Sequence, residues 1–447
     1  MDNITGFKKV LNSIFENTEQ MISYIPYKDS EGNELKADEI FFTNEEGFQG
    51  QQTLEVWEED ADAEQTELYT INSPGVEYVF DSSGNFPIAL ISPKGERMYL
   101  KISGKTGEIL PTHAGCCKSL DIIYTGASHT GKTVNILQMS NSSFHDAIAR
   151  HTNCSFEDDL PFQSEARRRY EKAGNDLKKH ILPEPTRRGE CIMPYVYYFT
   201  YTDKFNKERR HVLVRLQDID GEQCVDMSWK SKIIPYDYFF LMIGADELIE
   251  GEKEQAGQYT KVADQLIQKL RVFREQEYEV IVIISKADLL NKENPYLKEA
   301  FTDNSISMVD EKMYQTVHDR GFNYDVFNRR EKSIERFLEE KCPNFCNTLK
   351  NVVPEENITF CMIASIGESG DENKTFEQYT PFCVDEPILS VLVKQGMYPI
   401  SVYDQAPEEE SVKSGTNGKC SGFVNRLIKK LQLDEGMECD VEAYEEE

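Results

Sequence analysis

The sequence predicts an α/β protein: a mostly parallel sheet with flanking helices, plus a small N-terminal α+β domain. Three observations predict it. From Ser119 onward, near-continuous apolar runs of strand length alternate with longer helical stretches, the pattern of strands covered on both faces. Before that point, short β-like runs are divided by turn signals. Between the first long apolar run and the helical stretch after it lies a glycine-bounded loop ending in Lys132-Thr133.

Residues 1–115 form the first predicted unit. A helix is expected over Phe7 to Tyr24, where Phe7, Val10, Leu11, Ile14 and Phe15 recur at a helical period. The runs LYTIN, VEYVF, IALIS and RMYLKIS follow, parted by Asp81-Ser-Ser-Gly84, Pro93-Lys-Gly95 and Gly104-Lys-Thr-Gly107. Hairpins of a small antiparallel sheet are expected. The region shows no chemistry, so a structural or partner-binding module is the expectation.

Residues 116–400 form the second. Its strands are LDIIYTG, YVYYFTY, HVLVRLQ, YFFLMIGA, EVIVIIS and ITFCMIAS. The polar stretch Thr202 to Arg210 makes YVYYFTY and HVLVRLQ a hairpin, which puts one antiparallel strand on the sheet. Helices are expected from Lys132 to about Arg150, over Glu165 to His180, around Lys312 to Val317 and Ser333 to Glu340, and at Val384 to Leu392. Residues 401–420, rich in Glu, Ser and Gly, read as a linker. In 421–447, Phe423, Val424, Leu427, Ile428 and Leu431 share one helical face, followed by the acidic tail Asp434 to Glu447.

Composition bounds the partners. The 447 residues are 39% hydrophobic and 29% charged, with a net charge of −30. Such a surface repels phosphate backbones and anionic lipid heads, so no nucleic-acid partner is expected. No apolar stretch approaches the roughly 20 residues of a membrane span, and the N-terminus lacks a signal core. Eleven scattered cysteines fit a reduced, cytoplasmic compartment. Neither Cys342 with Cys346 nor His113 with Cys116 and Cys117 makes a four-ligand zinc pattern.

Four motifs carry chemistry, each at a strand end. Gly126-Ala127-Ser128-His129-Thr130-Gly131-Lys132-Thr133 has the pattern G-x-x-x-x-G-K-T, with Val134 in the helix it opens. Its glycines let backbone wrap phosphates, and the helix N-terminus presents free N–H groups. Lys132 reaches the β- and γ-phosphates, and the Thr133 hydroxyl suits Mg²⁺. His129 serves as backbone filler. Asp218-Ile-Asp-Gly221 ends HVLVRLQ; Asp218 can hold Mg²⁺ through water, and the Gly221 N–H can meet a γ-phosphate. Ser285-Lys286-Ala287-Asp288 closes EVIVIIS. The Asp288 carboxylate can accept the ring N–H and amino group of guanine, a pair adenine lacks, while the Lys286 stem covers the ring. Ala364-Ser365, with Ile366 beside it, ends ITFCMIAS, where a backbone N–H can meet guanine O6.

In this order and placement the four motifs resemble the translation-factor-related P-loop GTPases. The added helical length and the late helix from Val384 resemble the bacterial double-GTPase family. The resemblance covers about Leu120 to Gly396. It implies a GTP-binding switch that hydrolyses GTP to GDP and phosphate, with Mg²⁺ as cofactor and a role in a bacterial conflict or signalling system. Carried over by position, Thr186 completes the Mg²⁺ shell, and Arg187 or Arg188 can neutralise transition-state charge. Glu222 stands where relatives place the water-orienting Gln, here Gln223 one later. Ser285 stands where Asn or Thr is usual. The core is long, and its helical insertions or the N-terminal domain are candidate surfaces for a protein partner. A carboxylate beside the γ-phosphate keeps a second reading open, a GTP-binding interaction module with little hydrolysis. An ATPase on the same loop is a third.

Overall fold

A computed structural model describes residues 22–44, 67–81, 85–127, 129–139, 142–161, 164–183, 194–203, 206–218, 237–250, 267, 278–301, 316–318, 320–367, 375–377 and 380–401. The chain divides into two compact units: Met1–Ser119 with Asp159–Ser164 and His211–Leu213, and the remainder.

The first unit is built from small antiparallel sheets. β1 (Tyr27–Lys28) pairs with β2 (Glu34–Leu35). β3 (Ile40–Thr43) pairs with β7 (Leu100–Ser103), which pairs with β8 (Ile109–Leu110). β4 (Glu77–Val79), β5 (Ala89–Ile91) and β6 (Arg97–Met98) form the third sheet. The run RMYLKIS thus splits between two sheets, and LYTIN makes only an isolated bridge from Tyr69 to Phe42. The expected helix over Phe7 to Tyr24 lies almost wholly outside the described residues. β7 buries Lys101 along with its apolar neighbours. The Lys101 ammonium donates to the Ala114 carbonyl at 2.8 Å and lies 5.0 Å and 5.6 Å from the ring centres of Phe86 and Phe42. Burial lowers its pKa, and these partners offset the cost of burying it.

The second unit holds a seven-stranded, mostly parallel sheet in the order β10-β11-β12-β9-β13-β14-β15. Its strands are β9 (Ser119–Gly126), β10 (Ser155–Asp158), β11 (Tyr195–Thr202), β12 (Arg209–Asp218), β13 (Tyr238–Gly244), β14 (Glu279–Ser285) and β15 (Ile358–Met362). β9, β13, β14 and β15 run parallel, aligned by pairs such as Tyr238 with Ile122, Gly244 with Ser285 and Ile284 with Met362. The Asp203 N–H donates to the Glu208 carbonyl at 2.8 Å, closing the expected β11–β12 hairpin. One strand was not expected. β10 joins β11 antiparallel, so the antiparallel edge is one strand larger. SFED is short and polar at three of its four positions, and only Phe156 marks it, its ring centre 4.4 Å from that of Phe199.

The helices are α1 (Lys132–Met139), α2 (Ser142–Ala149), α3 (Glu165–Lys178), α4 (Ala245–Glu250), α5 (Tyr324–Lys341), α6 (Pro343–Val352) and α7 (Glu386–Lys394). The single helix expected from Lys132 to Arg150 is two. Ser140-Asn141-Ser142-Ser143 supplies the reason, since short polar side chains compete for backbone hydrogen bonds and favour helix ends. Pro343 makes the same kind of break between α5 and α6, at the first helical position it tolerates. The expected helix around Ser333 to Glu340 lies inside α5. Those around Lys312 to Val317 and in 421–447 fall largely or wholly outside the described residues. Val280, Val282, Ile284, Phe360 and Met362 pack with Ile334, Phe337 and Leu338 of α5 and Phe345 and Leu349 of α6 in one buried core. No described helix is long and apolar enough to cross a membrane.

Candidate functional site

Sheet topology locates a crevice before any side chain is considered. β9 has β12 on one side and β13 on the other. The chain leaving β9 builds the sheet one way, and the chain leaving β12 builds it the other way. Open α/β sheets bind ligands outside the carboxyl end of the strand where the order so reverses. The segment there is the loop from Gly126 to Thr133.

The loop's backbone explains its sequence. Gly126 has φ +137°, and a Cβ on it would collide with the Met242 carbonyl oxygen of β13. No other residue fits that approach. Gly131 has φ +85° with open space around it, so its requirement is conformational. His129, exposed at φ 67°, is a non-glycine residue held in the left-handed region, a strain of about 1–2 kcal/mol. The Thr130 hydroxyl donates to the Ala127 carbonyl at 3.0 Å. Lys132 is buried, and its ammonium donates to the carbonyls of Gly126 at 3.1 Å and Ala127 at 2.8 Å, folded back across the loop. Ser128 lies outside the described residues, and Val134 is half-buried on α1.

Thr133 and Asp218, 85 positions apart, meet: the Thr133 hydroxyl donates to Asp218 Oδ2 at 2.5 Å. Asp218 is 3% exposed. Two phenols flank it. Burial first, then the Asp218 charge, push the pKa values of Tyr124 and Tyr170 well up. The Tyr124 hydroxyl donates to Asn135 Oδ1 at 2.9 Å. A half-buried hydroxyl and a buried carboxylate converging beside a helix N-terminus are hard oxygen donors, so the pair fits Mg²⁺ sharing its shell with phosphate and water. Among the described residues no cluster of three or more His, Cys, Asp or Glu side chains would hold a metal by protein ligands alone. Thr186, Gly221 and Glu222 lie outside the described residues.

The third and fourth motifs are brought together at the neighbouring strand ends. The Ala287 N–H donates to the Ile363 carbonyl at 3.0 Å, and the Ile363 N–H to that of Ile284 at 2.8 Å. The Ser285 hydroxyl donates to the Ile243 carbonyl at 3.3 Å, a contact that ties β14 to β13. Lys286 takes a left-handed conformation, φ 55°, and starts the 3₁₀ turn Ala287–Leu289 that carries the half-buried Asp288. Ala364 bridges Phe382, and the Ile366 carbonyl accepts from the Thr380 N–H at 2.7 Å, which places Ser365 between two anchored neighbours.

Two acids missed in the sequence complete the crevice. Asp246 and Glu247 open α4, two and three residues past the end of β13. Burial, then Asp246, push the Glu247 pKa up to about 7, against the pull of a hydrogen bond from the Gly244 backbone and of the Lys286 and Lys132 charges. The sequence offers only a hint of them: the apolar run YFFLMIGA stops at two consecutive carboxylates, with nothing to say what they face.

Glu247 therefore makes stability fall with pH. Its folded pKa lies above its unfolded value, so its contribution is complete below about pH 4.5 and is lost as pH rises through 7. Glu247→Gln is expected to gain stability on the wild type between pH 5 and pH 8, by about 1–3 kcal/mol once solvent screening is allowed for. Paired urea titrations at the two pH values measure it, and a pH-independent difference would contradict it.

No protein-family model matches the chain, and no curated protein shows significant similarity to it.

Proposed function

We propose that this chain is a P-loop GTPase: it binds GTP with Mg²⁺ at the carboxyl ends of β9, β12, β13, β14 and β15, and hydrolyses it to GDP and phosphate as a nucleotide-dependent switch. The observation that carries the reading is the meeting of Thr133 with Asp218 beside a glycine-bounded loop whose lysine is folded onto its own carbonyls. Loop N–H groups and the α1 N-terminus take the phosphates. Lys132 exchanges two carbonyl partners for phosphate oxygens. Thr133 and Asp218 hold Mg²⁺, with Thr186 as the further ligand implied by resemblance; the ion supplies charge neutralisation at the transferring phosphoryl group. By the same resemblance, Gly221 would meet the γ-phosphate and Glu222 would stand at the attacking water. Asp288, with Lys286 and the backbone at Ser365 and Ile366, selects guanine.

Competition binding of GTP and ATP to the wild type and Asp288→Asn tests the base. The wild type is expected to prefer GTP at least tenfold, and the variant to lose that preference. Equal affinity for ATP and GTP in the wild type would replace the reading with an ATPase on the same fold. One observation favours a second reading. By sequence position Glu222 stands where the resemblance expects a water-orienting Gln, and a carboxylate there suits a GTP-binding interaction module with little hydrolysis. Phosphate release under multiple turnover separates the two. A bacterial conflict or signalling role, a cytoplasmic location and a protein partner engaged through the N-terminal unit or the helical insertions belong to this proposal.

A further inference from the structure

We infer that Asp246 is a positioning residue for base recognition: it pins the Lys286 ammonium so that the lysine stem is laid flat against the nucleobase. The inference rests on the guanine-nucleotide reading above and deepens it. Asp246 Oδ2 forms an ion pair with the Lys286 ammonium. The carboxylate is itself fixed, since its Oδ1 accepts from the Glu247 N–H at 3.2 Å at the start of α4. It folds back over Gly244, where any Cβ would collide with that same Oδ1. Gly244 and Ser285 are partners across β13 and β14, so the acid and the lysine start from adjacent strand ends. At its other end the lysine is held by an unusual backbone, φ 55° and ψ 40°, and by the Ala287 N–H bond to Ile363. A four-carbon stem with both ends fixed has few conformations left, and that is what a flat contact with a ring requires.

Fold stability does not account for the pair. The side chains are 33% and 38% exposed, and ion pairs this open add little. Residues in the left-handed region also cluster at functional sites, because surrounding structure must hold them there.

A double-mutant cycle on the full chain tests the inference, with a fluorescent GDP analogue in Mg²⁺ as probe and the unfolding temperature as control. Asp246→Ala is expected to weaken GDP about tenfold, Lys286→Met by a similar factor, and the double variant no more than Lys286→Met alone, all with unfolding temperatures near the wild type's. Asp246→Asn, which keeps an acceptor, is expected to fall between wild type and Asp246→Ala. Multiplying losses in the double variant would overturn the inference. So would unchanged GDP affinity in Asp246→Ala while Lys286→Met weakens it, or a drop in unfolding temperature that accounts for the Asp246→Ala loss. Undiminished GDP binding by Lys286→Met would instead remove the base reading itself, and this inference with it.

Discussion

Lys132→Ala is expected to bind guanine nucleotides at least a hundredfold more weakly than the wild type, a loss of about 2.7 kcal/mol or more, while the fold survives. The reason is local charge. Asp218, Asp246 and Glu247 stand around the crevice. Lys286 already pairs with Asp246, and Lys132 is held by two neutral carbonyls that it can leave at little cost. Without Lys132, the loop keeps its N–H groups and the helix end, worth about half a charge, against these acids, and its one ammonium among the described loop residues is gone. In the free protein the same substitution removes two bonds to loop carbonyls that water can then reach, so the unfolding temperature should move little. Calorimetric titration with GDP and the γ-thio analogue of GTP measures the loss. Affinity within threefold of the wild type would remove the site from this loop.

The prediction has a corollary in the whole-chain charge. A protein of net charge −30 that binds a polyanion must do so against its own field. Local donors at contact distance must outweigh it, and salt, which screens the long-range repulsion more than the contact, is expected to weaken binding less than it would for a basic protein.

The sheet was largely legible because its strands are buried on both faces. LDIIYTG, YFFLMIGA and EVIVIIS contain few or no polar residues over five to eight positions, and no amphipathic helix would require that. β10 was not legible, because an edge strand covered on one side needs only one apolar residue. The helix break after Met139 was written in Ser-Asn-Ser-Ser, but polar residues also occur on exposed helix faces, and only packing separates the cases. At the candidate site, Gly126 was legible because backbone geometry constrains its identity, and Lys132 because it completes the pattern G-x-x-x-x-G-K-T between a strand and a helix. Asp246 and Glu247 follow no fixed pattern. Their place beside Lys132 and Lys286 is set by strand order, and a linear reading does not contain it.

Arg330→Met is expected to destabilise the second unit by about 3–5 kcal/mol at pH 7, the usual consequence of leaving a buried charge without its partner. Arg330 is 1% exposed and forms an ion pair from Nη1 to Glu386 Oε1, with Phe382 5.7 Å below the guanidinium. The neighbours cannot replace it. His318 Nδ1 accepts from the Asn323 N–H at 3.0 Å, so the proton sits on Nε2, 3.4 Å from Glu386. Asp385, the next residue, is fully buried, has its own pKa raised by burial and takes the Thr316 hydroxyl. Burial opposes the Glu386 charge, and Arg330 and His318 overcome it, holding its pKa below the ordinary value. In the wild type that contribution is present above about pH 4.5 and lost as pH falls further. Once Arg330 is gone, burial dominates and the sign reverses: Glu386 becomes a cost at neutral pH that protonation relieves. The deficit of Arg330→Met is therefore expected to shrink between pH 7 and pH 5, and adding Glu386→Gln should recover much of it at pH 7. Urea unfolding of the wild type and the two variants at both pH values checks this, and a deficit below about 1 kcal/mol, or one that does not change with pH, would show that the network is not what fixes α5 against α7. The loop after β15 should feel the change too, because Phe382, under Arg330, is the residue that bridges Ala364.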